Sequence, residues 1–152
     1  MKHQAKAVAV FQTRRVKGEA VAKQTRKGVR INMRFQQLPP GEHGFHIHKA
    51  GDLRGKGCLG ACDHWHKGSH MKHGGPPTGR KTNRHTGDLG NVSRHRKNRT
   101  YTLNGVRISE LWGRSLIIHA DKDDLGKGTH PDSHTTGHSG KRIACAIFGR
   151  AK

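Results

Sequence analysis

Residues 28–36 read GVRINMRFQ. Successive side chains of an extended chain point to opposite faces, so Val29, Ile31, Met33 and Phe35 share one side and Arg30, Asn32 and Arg34 the other. Such alternation predicts a strand with one face on a core and one in water. Shorter stretches read the same way: KAVAVF, GEAVAKQ, HGFHIH, the strand and turn of NRTYTLNGVRIS, the apolar RSLIIHA and the closing KRIACAIFG. LPPGEHG between two of them is a turn. No segment carries a helical period. From Gly51 to Gly90 the chain is rich in glycine, histidine, lysine and arginine, with GGPP in its middle, and Gly126 to Gly140 is a second polar stretch. Loops of this length are uncommon inside a compact domain and usually carry function. The expected architecture is all-β, an antiparallel sandwich or barrel formed by one domain over residues 1–152, with its chemistry on two long loops.

Histidine sets the chemistry. GFHIHKAGD (residues 44–52) places His46 and His48 on the same face of a strand, with Phe45 and Ile47 on the other. His64, His73 and His85 follow in the long loop, Asp88 stands three residues after His85, and His119 ends SLIIH. Imidazole suits copper and zinc, and an aspartate beside three histidines completes a closed tetrahedral zinc site. The plainer alternative is that a chain with 14 histidines scatters them over its surface. That alternative is the expectation for His3, His95, His130, His134 and His138. Two competing motifs weigh less. GKGCLG fits G-x-G-x-x-G, yet no apolar helix follows it. Cys58, Cys62, His66 and His70 recur every fourth residue, but Gly57, Gly60 and Gly68 oppose the helix that would align them, and the spacing is not that of a zinc finger. No nucleophile elbow marks a hydrolase.

Lysine and arginine number 30 against 10 acidic residues, a formal charge of +20. Such a balance draws small anions and polyanions and is silent about fold; a merely soluble basic surface needs no partner. No apolar run reaches membrane-spanning length, so no membrane partner is expected. The apolar patch Ala7–Phe11 is too short for a signal-peptide core, which predicts a cytoplasmic protein, with a mature secreted chain or one packaged in a particle as alternatives. Three cysteines leave one odd if a bridge forms.

Taken together, GFHIHKAGD, HGGP, HTGDLGN, GRSLIIHADKDDLGKG and GKRIACAIFG resemble the copper/zinc superoxide dismutase family, in the family's order and over nearly the whole chain. The resemblance implies a Greek-key β-sandwich or barrel holding copper and zinc. His46, His48 and His119 look like copper ligands, and His64, six residues after Cys58, like the imidazolate shared by both metals. His73, His85 and Asp88 look like the remaining zinc ligands. Asp123 resembles the carboxylate linking ligands of the two metals, and Arg142 the arginine that receives the anion. Cys58 and Cys145 resemble the family's disulfide pair, which leaves Cys62 free where the family usually has glycine.

The implied reaction converts superoxide to dioxygen and hydrogen peroxide by copper cycling. A superoxide dismutase-like domain devoted to polyanion binding or copper handling is the alternative. The chain also departs from the family. Residues 64–88 are longer than usual, so His66 and His70 stand as rival ligands, and the segment between Asn91 and Gly113 is shortened. Ala50 and Arg150 replace apolar residues of the usual dimer contact. A homodimer is still expected, with Trp112 near that contact, and a monomer is the alternative. Lys127, Lys141 and Arg142 are expected to wall the copper channel, whereas Arg94, Arg96, Lys97 and Arg99 are expected to be solvated, with nonspecific polyanion binding as a secondary property.

Overall fold

The computed structural model describes residues 4–78, 80 and 82–152. His3, one of the histidines assigned to the surface, lies outside the described residues. Among the described residues nine strands form, in chain order β1 Lys6–Gln12, β2 Lys17–Gln24, β3 Gly28–Gln37, β4 His43–His48, β5 Asp88–Val92, β6 Asn98–Asn104, β7 Ser115–His119, β8 Arg142–Ile147 and β9 Gly149–Arg150. Two single 3-10 turns, Leu59–Ala61 and Ile108–Glu110, are the helical pieces among the described residues. Among the described residues no helix is long and apolar enough to cross a membrane.

The strands make two antiparallel sheets, ordered β6-β3-β2-β1-β9 and β5-β4-β7-β8. The chain leaves the first sheet after β3, builds β4 and β5 in the second, and returns as β6 beside β3, which is a Greek-key path. The alternation of β3 is realised: Val29, Ile31, Met33 and Phe35 are buried while Arg30, Asn32 and Arg34 are exposed. They meet Phe45, Ile47, Leu116 and Ile118 from the second sheet in one apolar core. Phe35 packs edge-on against Phe45, with ring centroids 5.7 Å apart.

Strand β5 begins at Asp88, inside the loop that the sequence predicts as far as Gly90. Its five residues hold a glycine with φ 76° and a buried aspartate, neither of which favours a strand, and pairing with β4 imposes the extended form. The long loop returns to β4 around Trp65, which enters the apolar core. Trp65 N–H donates to the Ile47 carbonyl, and Gly87 N–H to that of Trp65. A Cys58–Cys145 disulfide, with Cα atoms 6.1 Å apart, ties the segment to β8, and Cys62 stays a free, exposed thiol.

Candidate metal centre

Phe45 and Ile47 enter the core, so His46 and His48 face outward on β4, where the long loops cover them. His119 ends the neighbouring strand β7, since Phe45 pairs with Ile118 and His46 with Ile117. An isolated bridge between His48 and His64 brings the loop histidine alongside. His46, His48, His64 and His119 thus present ring nitrogens that lie within 4.8 Å of one another, all buried. His64 also belongs to a second buried group with His73 and Asp88.

Hydrogen bonds decide which nitrogen of each ring is free. A neutral imidazole has one N–H donor and one lone-pair acceptor. His46 donates from Nε2 to Asp123 Oδ2 at 2.6 Å, His48 from Nδ1 to the Cys62 carbonyl at 2.7 Å, and His119 from Nδ1 to the Gly140 carbonyl at 3.0 Å. Each is left with a bare lone pair on the opposite nitrogen. These atoms, His46 Nδ1, His48 Nε2 and His119 Nε2, are buried without a partner, as is His64 Nε2. Four orphaned acceptors turned toward one point are costly in a dry interior unless a cation sits among them.

The second group follows the same logic. His73 donates from Nε2 to Asp123 Oδ1 at 2.7 Å, and His85 from Nε2 to the Met71 carbonyl at 2.6 Å. Their Nδ1 atoms lie 2.9 and 3.4 Å from Asp88 Oδ1, and His64 Nδ1 lies 3.0 Å from it. Ligand bonds of about 2.0 Å place the corners of a tetrahedron about 3.3 Å apart, so this spacing suits a small tetrahedral ion. By proximity alone the fourth member is His46, not His85. However, one His46 nitrogen is donated to Asp123 and the other belongs to the first group, so the lone pairs favour His85.

Burial keeps the first group neutral. It lowers His46 well below the ordinary imidazole value, His48 to about 2 and His119 to about 4, and it lowers His64 as well. Burial would also lower His73, but Asp123 and Asp88 outweigh it and hold that ring at about 9. Asp88 opposes its own burial through His64, His73 and His85, which hold it far below the usual carboxylate range. The neutral rings of the first group and the ionised Asp88 are in the protonation states that metal ligands require, whereas His73, protonated below about 9, has to release its Nδ1 proton to serve as one.

Asp123 is buried and bridges the two groups, one oxygen to each. Its backbone is clamped by Asn91: Asp123 N–H donates to Asn91 Oδ1 at 2.7 Å, and Asn91 Nδ2 donates back to the Asp123 carbonyl at 2.9 Å. Arg142, at the start of β8, donates from Nη1 to the Cys58 carbonyl at 2.9 Å and from Nη2 to the Cys62 carbonyl at 2.6 Å. It lines an open cleft with Lys141, His48, His64 and His119. Lys127 is not among the cleft's lining residues; it sits in the turn after Asp124, whose carbonyl accepts its N–H.

The rival ligands are placed elsewhere. His66 Nδ1 accepts from Thr86 N–H at 3.1 Å, and His70 is exposed in the cleft mouth. The set Cys58, Cys62, His66 and His70 does not assemble, because Cys58 is spent in the disulfide. Sequence reasoning missed Asn91, the clamp from His43 Nδ1 to the His119 carbonyl at 2.9 Å, and the carbonyls of Met71, Cys62 and Gly140. Every residue carries a carbonyl, so nothing in the sequence marks those three.

Residues 16–148 match the family profile described as Copper/zinc superoxide dismutase (SODC). The chain belongs to the copper/zinc superoxide dismutase family. It is 45% identical over 134 residues to the extracellular superoxide dismutase [Cu-Zn] of Haemonchus contortus, covering 83% of this chain and 69% of that protein. It is 39% identical over 144 residues to the superoxide dismutase [Cu-Zn] of Paramecium bursaria Chlorella virus 1, covering 90% and 74%. A third relative is the copper chaperone for superoxide dismutase of Rattus norvegicus, 44% identical over 117 residues, where the match spans 75% of this chain but 41% of the chaperone. Among solved structures, that of the clock protein EA4 superposes with a TM-score of 0.81 at 36% identity, covering 98% of this chain and 99% of that one. Copper/zinc superoxide dismutase membership accounts for two adjoining histidine groups on one sandwich.

Proposed function

We propose that the whole chain, residues 1–152, acts as one superoxide dismutase unit. The observation that carries this reading is the set of four buried, partnerless nitrogens, joined through His64 to a second group with tetrahedral spacing. In it, His46, His48, His64 and His119 would hold copper, and His64, His73, His85 and Asp88 would hold zinc. When bound, copper supplies one-electron exchange by passing between Cu(II) and Cu(I), and zinc supplies a fixed structural charge.

The chain's own residues do the rest. Two superoxide anions and two protons become one dioxygen and one hydrogen peroxide. Arg142 is pinned by two carbonyls, so its remaining N–H groups offer the anion a cation that needs no rearrangement. Lys141 adds positive potential at the same cleft. His64 lines the cleft, and its Nε2 would hold a proton when copper does not occupy that atom and pass it to the reduced anion. Asp123 fixes the tautomers of His46 and His73 and so orients both groups.

A copper-handling role is the second reading, favoured by the likeness to copper chaperones. Metal content and superoxide consumption measured on the same preparation separate the two. The dismutase reading expects one copper and one zinc per chain and copper-dependent consumption, with His46→Ala losing copper and activity while keeping zinc. Full copper loading without consumption would favour copper handling. In the dismutase reading the protein is also a homodimer, although Trp112 is already covered by Arg150, whose guanidinium lies 4.2 Å from the ring centroid. A cytoplasmic site belongs to the same reading; two relatives are extracellular enzymes, so secretion stands beside it.

A further inference from the structure

The positive charge is not spread evenly. Between residues 4 and 37 there are nine lysines and arginines and one acidic residue, Glu19. This stretch is β1, β2 and β3 with their turns. Register places Lys6 opposite Lys23, and Lys23 opposite Arg30, on the outward face of the five-stranded sheet. Neighbouring strands lie about 4.8 Å apart, so three cations stand within about 10 Å. Like charges directly opposite each other destabilise a sheet. Among the described residues no carboxylate lies within ion-pair distance of Lys23 or Arg30; the lysine and arginine pairs are Arg54–Asp52, Lys67–Glu110 and Lys122–Glu42, none on this sheet. Arg34 extends the patch along β3, where it stands opposite Glu19 without coming within ion-pair distance of it, and Lys17 closes the patch at the start of β2, all three exposed.

Between and beside the cations stand Asn32 and Thr102, whose amide and hydroxyl add donors suited to phosphate oxygens, while Thr100 donates its hydroxyl to Asn32 Oδ1 at 3.0 Å. Phe11, Phe35 and Tyr101 of this sheet are all buried, so the face offers no aromatic platform on which bases could stack. The metal-centre histidines lie on the far side of the sandwich, outside the second sheet, so a partner seated here leaves the cleft open.

We propose that this face docks the phosphate backbone of double-stranded nucleic acid without regard to base sequence. A row of cations holding a single carboxylate gains from neutralisation by phosphates and release of their counterions. A flat face without aromatics disfavours single strands. Cations fixed on a stiff sheet, not carried on a tail, suit a stiff partner with regularly spaced charges.

The test is fluorescence anisotropy with a short DNA duplex across a range of salt, on the full chain. Five phosphate contacts predict a log–log salt slope of about −4 to −5, alike for two unrelated duplexes. The triple variant Lys23→Gln, Arg30→Gln, Arg34→Gln should flatten that slope by about 2–3 and weaken binding at least about tenfold at low salt. Its metal content and superoxide consumption should stay unchanged. A control with the same loss of charge, Lys56→Gln, Lys127→Gln, Lys141→Gln, should bind within about twofold of the parent. Equal weakening by both triples would overturn the assignment to this face. Tighter binding of single strands, or displacement of the duplex by far fewer charge equivalents of a sulfated polysaccharide, would overturn the assignment to duplex nucleic acid.

Discussion

Cys62 adopts φ 63° and ψ −150°, a region open to glycine that costs a residue with a Cβ about 1–3 kcal/mol. Its carbonyl accepts from both His48 and Arg142, so the strained turn aims one acceptor at two residues of the proposed site. Cys62→Gly should therefore raise the unfolding free energy by about 1 kcal/mol with metal content unchanged, as denaturant unfolding would show; destabilisation would mean that the thiol contributes more than the turn does. Gly137, with φ 71°, passes so close to Asp123 Oδ1 and His73 Nε2 that a Cβ would collide with both. Asp123→Asn should keep the shape but put an N–H donor where one of the two acceptor oxygens fixes a tautomer, so that only one of His46 and His73 keeps its acceptor. Competitive chelator titration should show metal affinity about 10–100-fold weaker; an unchanged affinity would remove Asp123 from that role. At this scale the sequence was most readable: histidines flanking an isoleucine on a strand announce themselves. What fixes the rings, chiefly backbone carbonyls and Asn91, depends on loop geometry that no local pattern encodes.

Strand β3 was legible because strict alternation has only one reading, a sheet half in water. Strands β5 and β9 were not, since a five-residue stretch with a glycine and an aspartate, and a two-residue strand, become extended only through their neighbours. The long loop is held by side chains as well as the disulfide: Arg84 donates to the carbonyls of Gly75, Thr86 and Asp88. The Cys58–Cys145 bridge spans a sequence separation of 87. In the chain-entropy picture a loop of this size corresponds to roughly 4–5 kcal/mol. Cys145→Ser should cost a large part of that in denaturant unfolding of the metal-free protein. A loss under about 1 kcal/mol would show that the loop is held without it.

Across the whole molecule, acid acts through the buried histidines. In the metal-free protein His119 has its folded value lowered to about 4, and His48 to about 2, from an ordinary 6.5. The unfolded chain binds protons there first. Stability from these groups is thus present above about pH 6.5 and falls as pH drops toward 4, by about 1.4 kcal/mol per pH unit for each histidine. His73 runs the other way: its value of about 9 gives stability that is complete below 6.5 and lost as pH rises through 9. Thermal unfolding of the metal-free chain should peak near neutrality and fall on both sides; a flat profile between pH 4 and 6.5 would contradict the buried, neutral set. Sedimentation at high micromolar concentration tests the dimer, and a monomer alone would count against it.

The central claim is that the cleft turns over superoxide. The most direct measurement is the superoxide decay rate of the copper- and zinc-loaded chain by stopped flow, at about 0.01 and 0.1 M salt, for the parent and Arg142→Ala. Debye lengths of about 30 and 10 Å at these concentrations span the reach of Arg142 and Lys141. The predicted result is a fast, copper-dependent rate that falls with salt, with both the rate and its salt dependence reduced in Arg142→Ala. A rate no faster than that of the zinc-only protein, or one indifferent to salt and to Arg142, would contradict the account.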